Sequence, residues 1–97
     1  MRILIVEDEI KIRMGISRLI TLHTQHTVVG EAKNGKEGLE MINRYHPQLV
    51  ISDIRMPVMD GLEMLQESVK QGNHCHFVIL SGYSEFEYAQ KALRYGV

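Results

Sequence analysis

Four short runs of apolar residues, rich in β-branched side chains, recur along the chain: Ile3 to Val6, Thr27 to Val29, Leu49 to Ile51 and Phe77 to Leu80. Runs of this length and composition predict β-strands. Three of them are apolar without alternation, the pattern of a parallel strand covered by helices on both faces. The stretch from Thr27 to Ala32 is more mixed and is expected near a sheet edge. Between the runs, apolar residues return at helical spacing: Ile12, Ile16, Leu19 and Ile20; Leu39 and Ile42, with Met41 and Tyr45 nearby; Leu62, Leu65 and Val69; then Ala89, Ala92 and Leu93. Asn34 with Glu37, Asp60 with Glu63 and Ser84 with Glu87 have the spacing of helix N-terminal capping boxes, in which each partner satisfies an otherwise unpaired amide.

Strict alternation of strand and helix implies a parallel sheet with right-handed crossovers and helices on both faces, a doubly wound α/β domain. The sequence shows no internal repeat and no low-complexity stretch, and its 97 residues suffice for one domain. In such sheets ligands bind at the carboxyl ends of the strands. The residues that follow each run are therefore where chemistry is expected.

Composition narrows the function. With 44% hydrophobic and 24% charged residues the chain can build a core. A formal net charge of -1, with the basic residues scattered, gives no electrostatic footprint for direct nucleic-acid contact. The opening apolar run is cut off by Glu7, Asp8 and Glu9, which argues against a signal peptide or a membrane span and for a cytoplasmic protein. Cys75 is the single cysteine and cannot form an internal disulfide.

At the strand ends stand Glu7, Asp8 and Glu9 after the first run, Asp53 after the third and Ser81 after the fourth. Ionised carboxylates within about 5 Å of one another repel by roughly 3 kcal/mol per pair at an effective dielectric near 20. A cation offsets that, and an all-oxygen donor set with room for water suits Mg²⁺. A carboxylate beside Mg²⁺ can attack phosphorus to give an acyl phosphate. Asp53 is the candidate nucleophile, Glu7 and Asp8 the candidate metal ligands with it, and the Ser81 hydroxyl a donor to a phosphoryl oxygen. Glu9 reads as a helix-start acid.

These residues carry a resemblance. Glu7-Asp8 closing the first strand, Asp53-Ile54-Arg55-Met56-Pro57-Val58-Met59-Asp60-Gly61 after the third and Leu80-Ser81-Gly82-Tyr83 after the fourth resemble the response-regulator receiver family along the whole chain. The resemblance implies a flavodoxin-like, CheY-like, three-layer α/β/α fold with sheet order 2-1-3-4-5. It also implies phosphorylation of Asp53 by a sensor histidine kinase, and a Mg²⁺ site completed by the backbone carbonyl of Arg55. Such a domain is a signalling phospho-acceptor rather than an enzyme, catalysing only its own phosphoryl transfer and dephosphorylation. The stretch from Ser81 to Ala89 further resembles receivers linked to AraC-type DNA-binding domains, which implies an output domain that regulates transcription.

Receivers continue after the fourth helix into a fifth strand ending in a lysine and then a fifth helix, whereas these residues stop at Gly96-Val97. The expectation is a receiver domain over residues 1–97 that lacks those two elements and self-associates through its fourth strand or fourth helix. The alternative function is a phosphorylation-independent interaction module or an inactive fragment. A flavodoxin-like cofactor binder is disfavoured, because Glu7, Asp8 and Glu9 would repel a phosphate. An aspartate-nucleophile phosphatase wants an acid two residues after the nucleophile, where Arg55 stands. His74, Cys75 and His76 alternate on a strand and cannot all grip one ion. Ile10 and Met14 lie off the main stripe of the first helix, on the side where the resemblance implies kinase docking.

Overall fold

The computed structural model describes residues 1–80. Within them strands and helices alternate: β1 (Arg2–Val6), α1 (Ile10–His23), β2 (Thr27–Ala32), α2 (Gly35–Tyr45), β3 (Leu49–Ser52), α3 (Gly61–Lys70) and β4 (His76–Ile79). The helix expected over Ala89 to Leu93, with its Ser84 and Glu87 cap, lies outside the described residues, as does Ser81. All pairings are parallel and the strand order is β2-β1-β3-β4. Thr27–Ala32 forms an edge as expected, and a register shift between Ile3 and Leu4 breaks its pairing with β1. Because β1 lies between β2 and β3, the strand order reverses there. The carboxyl ends of β1 and β3 flank the crevice in which α/β sheets bind ligands.

Alternation along β1 divides the core. Leu4 and Val6 face α2 and α3, and pack with Ala32, Ile42, Val50, Leu62, Met64, Leu65 and Phe77. Ile3 and Ile5 face α1 and pack with Ile20, with Ile16, Val28, Leu49 and Ile51 around them. This is the unalternating run of a strand buried on both faces. Fully burying each such side chain contributes roughly 1.5–3 kcal/mol, so among the described residues the face under α2 and α3 holds most of the stabilising contacts.

Two helical stripes differ from expectation. In α1 only Ile20 is buried, while Ile12 (47%) and Leu19 (61%) are exposed. Helix α1 packs across β1 and β2, while Ile12 lines the cleft at the strand ends and Leu19 a surface groove with Leu22. In α3 the buried positions are Gly61, Leu62, Met64, Leu65 and Ser68, and Val69 points outward. The stripe is centred one position earlier than its apolar residues suggest, because Ser68 sits against Cys75, 4.0 Å from Oγ to Sγ.

The caps form. Asp60 accepts from the Glu63 N–H (2.8 Å) and Glu63 accepts from the Asp60 N–H (3.1 Å), a complete capping box. Asn34 accepts from the Glu37 N–H (2.9 Å), but the Glu37 carboxylate turns to Lys33 N–H, so this box is only half made. Between Asp53 and α3 the loop tightens. The Met59 N–H donates to the Pro57 carbonyl at 2.8 Å around Val58, whose φ is 72°. Such a γ-turn is strained, the more so with a β-branched residue at its centre.

Gly61 closes this loop onto the strand end. Its N–H donates to the Ile54 carbonyl at 2.7 Å, and a β-carbon here would lie 2.1 Å from the Asp53 carbonyl oxygen and 2.9 Å from Ser52 Oγ. No side chain fits without moving the segment that carries Asp53. We expect Gly61→Ala to lower the unfolding free energy by about 3 kcal/mol, the upper range for overpacking a tight site. Urea denaturation checks this, and an unchanged midpoint would show that the loop yields freely.

Candidate functional site

Glu7 follows β1 directly and is buried in spite of its charge. Its N–H donates to the Ala32 carbonyl at 2.9 Å, extending the ladder with β2 one residue past the strand. Asp8, next in the chain, is exposed. Asp53 follows β3, half-buried, and its N–H donates to the Val6 carbonyl at 3.1 Å, so the two strand ends are tied together at the acids. One carboxylate oxygen from each of Glu7, Asp8 and Asp53 lies within 4.8 Å of the other two. Among the described residues this is the only group of three or more histidines, cysteines and carboxylates so placed.

Crowding and burial act on Glu7 most. Burial, then the charge of Asp53, then that of Asp8 raise its pKa to about 7, against a backbone hydrogen bond from Glu9 that favours the charged form. The Glu7 side chain also hydrogen-bonds Asp53. Asp53 Oδ1 accepts from the Ile54 N–H at 2.7 Å, which fixes the rotamer of the carboxylate. Behind it, the buried Ser52 donates its hydroxyl to the Asp53 carbonyl at 2.7 Å.

The acids open into a cleft of about 750 Å³ lined also by Ile12, Ile16 and Arg55. Of the sequence-derived site residues, Glu7, Asp8 and Asp53 are brought together and Arg55 borders the same cleft, whereas Ser81 lies outside the described residues. Leu80 ends the described chain beside β3, its N–H donating to the Ser52 carbonyl at 2.9 Å. Glu9 takes the N-cap position of α1 without a side-chain capping bond. His74, Cys75 and His76 line a separate cavity of about 400 Å³ with Met1 and His46. They form no metal-ligating cluster among the described residues, and burial raises the Cys75 pKa, which makes it a poor thiolate.

Sequence reading passed over Arg13. This α1 residue donates from Nη1 to the Glu7 carbonyl at 2.8 Å, and its Nε lies 3.6 Å from Glu31 Oε1 on β2. The available signal was a cation one helical turn after Glu9, which faces back toward the strand end.

The Glu7 shift has a measurable consequence for stability. Its folded pKa, about 7, exceeds the ordinary 4.5, so between these values the native state holds a proton that the unfolded chain has released. Stability from this group is full below pH 4.5 and is lost as pH rises to 7, by roughly 3 kcal/mol in the metal-free protein. Thermal denaturation across this window is expected to show the decline, and Glu7→Gln to remove it. A Glu7→Gln profile that declines as steeply as wild type would place the titration elsewhere.

Comparison with known proteins agrees with this geometry. Residues 3–97 match the family described as the response regulator receiver domain. Over 97 residues, 99% of its length, the chain is 39% identical to the uncharacterized transcriptional regulatory protein YesN of Bacillus subtilis (strain 168), and it spans 26% of that protein. The crystal structure of the N-terminal domain of an uncharacterized protein from Wolinella succinogenes matches with a TM-score of 0.91 and 36% identity, over 100% of this chain and 77% of that one. A DNA-binding response regulator of the LuxR family from Staphylococcus aureus matches with a TM-score of 0.93 and 32% identity, over 99% of this chain and 80% of that one. A parallel β2-β1-β3-β4 sheet with three carboxylates gathered at its switch point, and a family match over nearly every residue, place this chain in the response regulator receiver domain family.

Proposed function

We propose that this receiver domain takes a phosphoryl group from a sensor histidine kinase onto Asp53, with Mg²⁺ held by Glu7, Asp8, Asp53 and the backbone carbonyl of Arg55. The observation that carries the reading is the convergence of three carboxylates within 4.8 Å at the sheet's switch point. Burial first, and then the charges of Asp53 and Asp8, raise the pKa of Glu7, and a hard divalent cation relieves the repulsive part. An all-oxygen donor set with one exposed member, Asp8, suits Mg²⁺ with water in its remaining positions. Bound there, the ion supplies neutralisation of charge on the phosphoryl oxygens.

The chain's own residues do the rest. The Ile54 N–H holds Asp53 Oδ1, so the carboxylate presents its other oxygen as the nucleophile. That oxygen forms a bond to phosphorus as the P–N bond of the kinase phosphohistidine breaks. The imidazole nitrogen keeps the electron pair, and an acyl phosphate stands on Asp53. Gly61 and the strained turn at Val58 keep the nucleophile's backbone from retreating. Ser81 is assigned the donor to a phosphoryl oxygen that communicates the modification. The domain thus catalyses its own transfer and hydrolysis and no other reaction.

Downstream we place an output domain that regulates transcription, in the cytoplasm. YesN is named a transcriptional regulatory protein and the Staphylococcus aureus structure is titled a DNA-binding response regulator. The resemblance of the residues from Ser81 to Ala89 to receivers linked to AraC-type domains supports an AraC-type output domain. With a formal charge of -1, this domain leaves DNA contact to that partner. Among the described residues no helix is long and apolar enough to cross a membrane.

Incubation of the full chain with acetyl phosphate and Mg²⁺ is expected to add one phosphoryl group by intact mass, none in Asp53→Asn, and far less in Asp8→Ala at equal Mg²⁺. An unmodified wild-type chain would favour a phosphorylation-independent interaction module. Labelling that persists in Asp53→Asn would move the acceptor.

Self-association belongs to the same reading. Among the described residues β4 pairs on one side only, with Val78 and Leu80 exposed along it, and such an edge is a template for strand pairing. We expect the 97-residue chain to sediment as dimers or larger species at high concentration, and Val78→Lys to shift it toward monomer. A monomeric wild type would show the edge to be covered.

A further inference from the structure

We propose that Arg13 is the positioning residue of the acidic pocket, acting through the backbone rather than through its charge; the inference rests on the Mg²⁺ reading above. Glu7 is the hinge between β1 and the loop that carries Asp8. Its N–H is fixed by the Ala32 carbonyl at 2.9 Å, and its C=O is fixed by Arg13 Nη1 at 2.8 Å. A peptide unit is planar, so holding the Glu7 carbonyl sets the orientation of the whole Glu7–Asp8 peptide and the direction in which the chain enters Cα of Asp8. Asp8 is exposed. Its carboxylate therefore reaches the shared site only as well as this peptide is aimed.

The guanidinium suits the task. Its side chain is only 16% exposed, and its Nε faces Glu31 Oε1 at 3.6 Å, so β2 holds one edge of the fork while the other edge grips Glu7. Arg13 also rides on the first turns of α1, its N–H donating to the Glu9 carbonyl at 2.9 Å. Helix, edge strand and site strand thus meet at one planar group, which donates to the Glu7 carbonyl while ion-paired with Glu31.

The test is a Mg²⁺ titration of the full chain, followed by the amide NMR shifts of residues 7, 8 and 53, in wild type, Arg13→Lys, Arg13→Met and Glu31→Gln. Arg13→Met is expected to bind Mg²⁺ about tenfold more weakly, the lower range for losing a group that orients a metal ligand. Arg13→Lys, which keeps the charge but lacks the fork, is expected to weaken binding by about threefold or more, and Glu31→Gln by no more than about twofold. At saturating Mg²⁺ the rate of Asp53 phosphorylation by acetyl phosphate should return to within about twofold of wild type, a split that simple destabilisation would not produce. Arg13→Lys binding as tightly as wild type would overturn the proposal by showing that charge alone suffices. So would equal midpoints in all variants, or failure of both Arg13 variants to fold, which would make the residue one of stability. A wild-type chain without a saturable Mg²⁺ response would overturn the functional reading and this inference together, and is told apart by that.

Discussion

Three carboxylates that repel one another are held together at the end of a parallel sheet, and the rest of the fold is what holds them. Left to themselves Glu7, Asp8 and Asp53 would separate, since each close pair costs several kcal/mol in a partly desolvated setting. They stay because their backbones are committed elsewhere. Glu7 continues the ladder of β1 onto Ala32, and Asp53 continues β3 onto Val6, so both acids belong to the sheet's hydrogen-bond network before they belong to the site. The side chains have no say in this. Glu7 answers in the way open to a buried acid, by retaining its proton to higher pH and hydrogen-bonding Asp53.

That commitment is secured from below by an uneven core. Leu4 and Val6 of β1, Val50 of β3 and Phe77 of β4 all pack beneath α2 and α3, with Met64 and Leu65 filling the centre. Ile3 and Ile5 on the opposite face meet chiefly Ile20 and Ile16 of α1. Among the described residues the larger cluster fixes the strands, and the smaller one is what anchors α1. A helix so placed gains from a polar tie to the strand end, and the Arg13 bond to the Glu7 carbonyl is such a tie.

How much of this was legible in the sequence depends on which physical signal each residue carries. Strands β1, β3 and β4 announced themselves as short β-branched runs, β2 as a mixed one at an edge, and Asp60 with Glu63 as a capping box, because those signals are local. The acids after β1 and β3 were legible once strict alternation fixed a parallel sheet, since topology then brings strand ends together. Val69 was misassigned and Ser68 passed over because polarity misled: Ser68 is buried beside Cys75, and the apolar Val69 is exposed. Ile12 and Leu19 were misassigned because a helical stripe reports which side is apolar, not that Ile12 borders the cleft at the strand ends and Leu19 a surface groove. Arg13 was passed over although it lies one helical turn after Glu9, because its partner is a main-chain carbonyl, and a carbonyl leaves no mark in the sequence.

The loop after Asp53 shows the same economy from the other direction. Val58 adopts φ 72° while 76% exposed, so no packing of its own side chain explains the strain. The explanation lies on both sides of it. Pro57 restricts the approach, Asp60 must arrive as the cap of α3, and Gly61 must pass within the reach of a β-carbon of the Asp53 carbonyl. With both ends fixed and few residues to spare, the chain closes through a γ-turn, and Val58 occupies the position left over. Strain stored there is a consequence of holding Asp53 against its neighbours. Relaxing it would require α3 to move its N-terminus, and that helix is fixed by the buried Leu62, Met64 and Leu65. The position of Asp53 is thus set by the packing of a helix that begins at Gly61 and is anchored on its far side by Leu62, Met64 and Leu65.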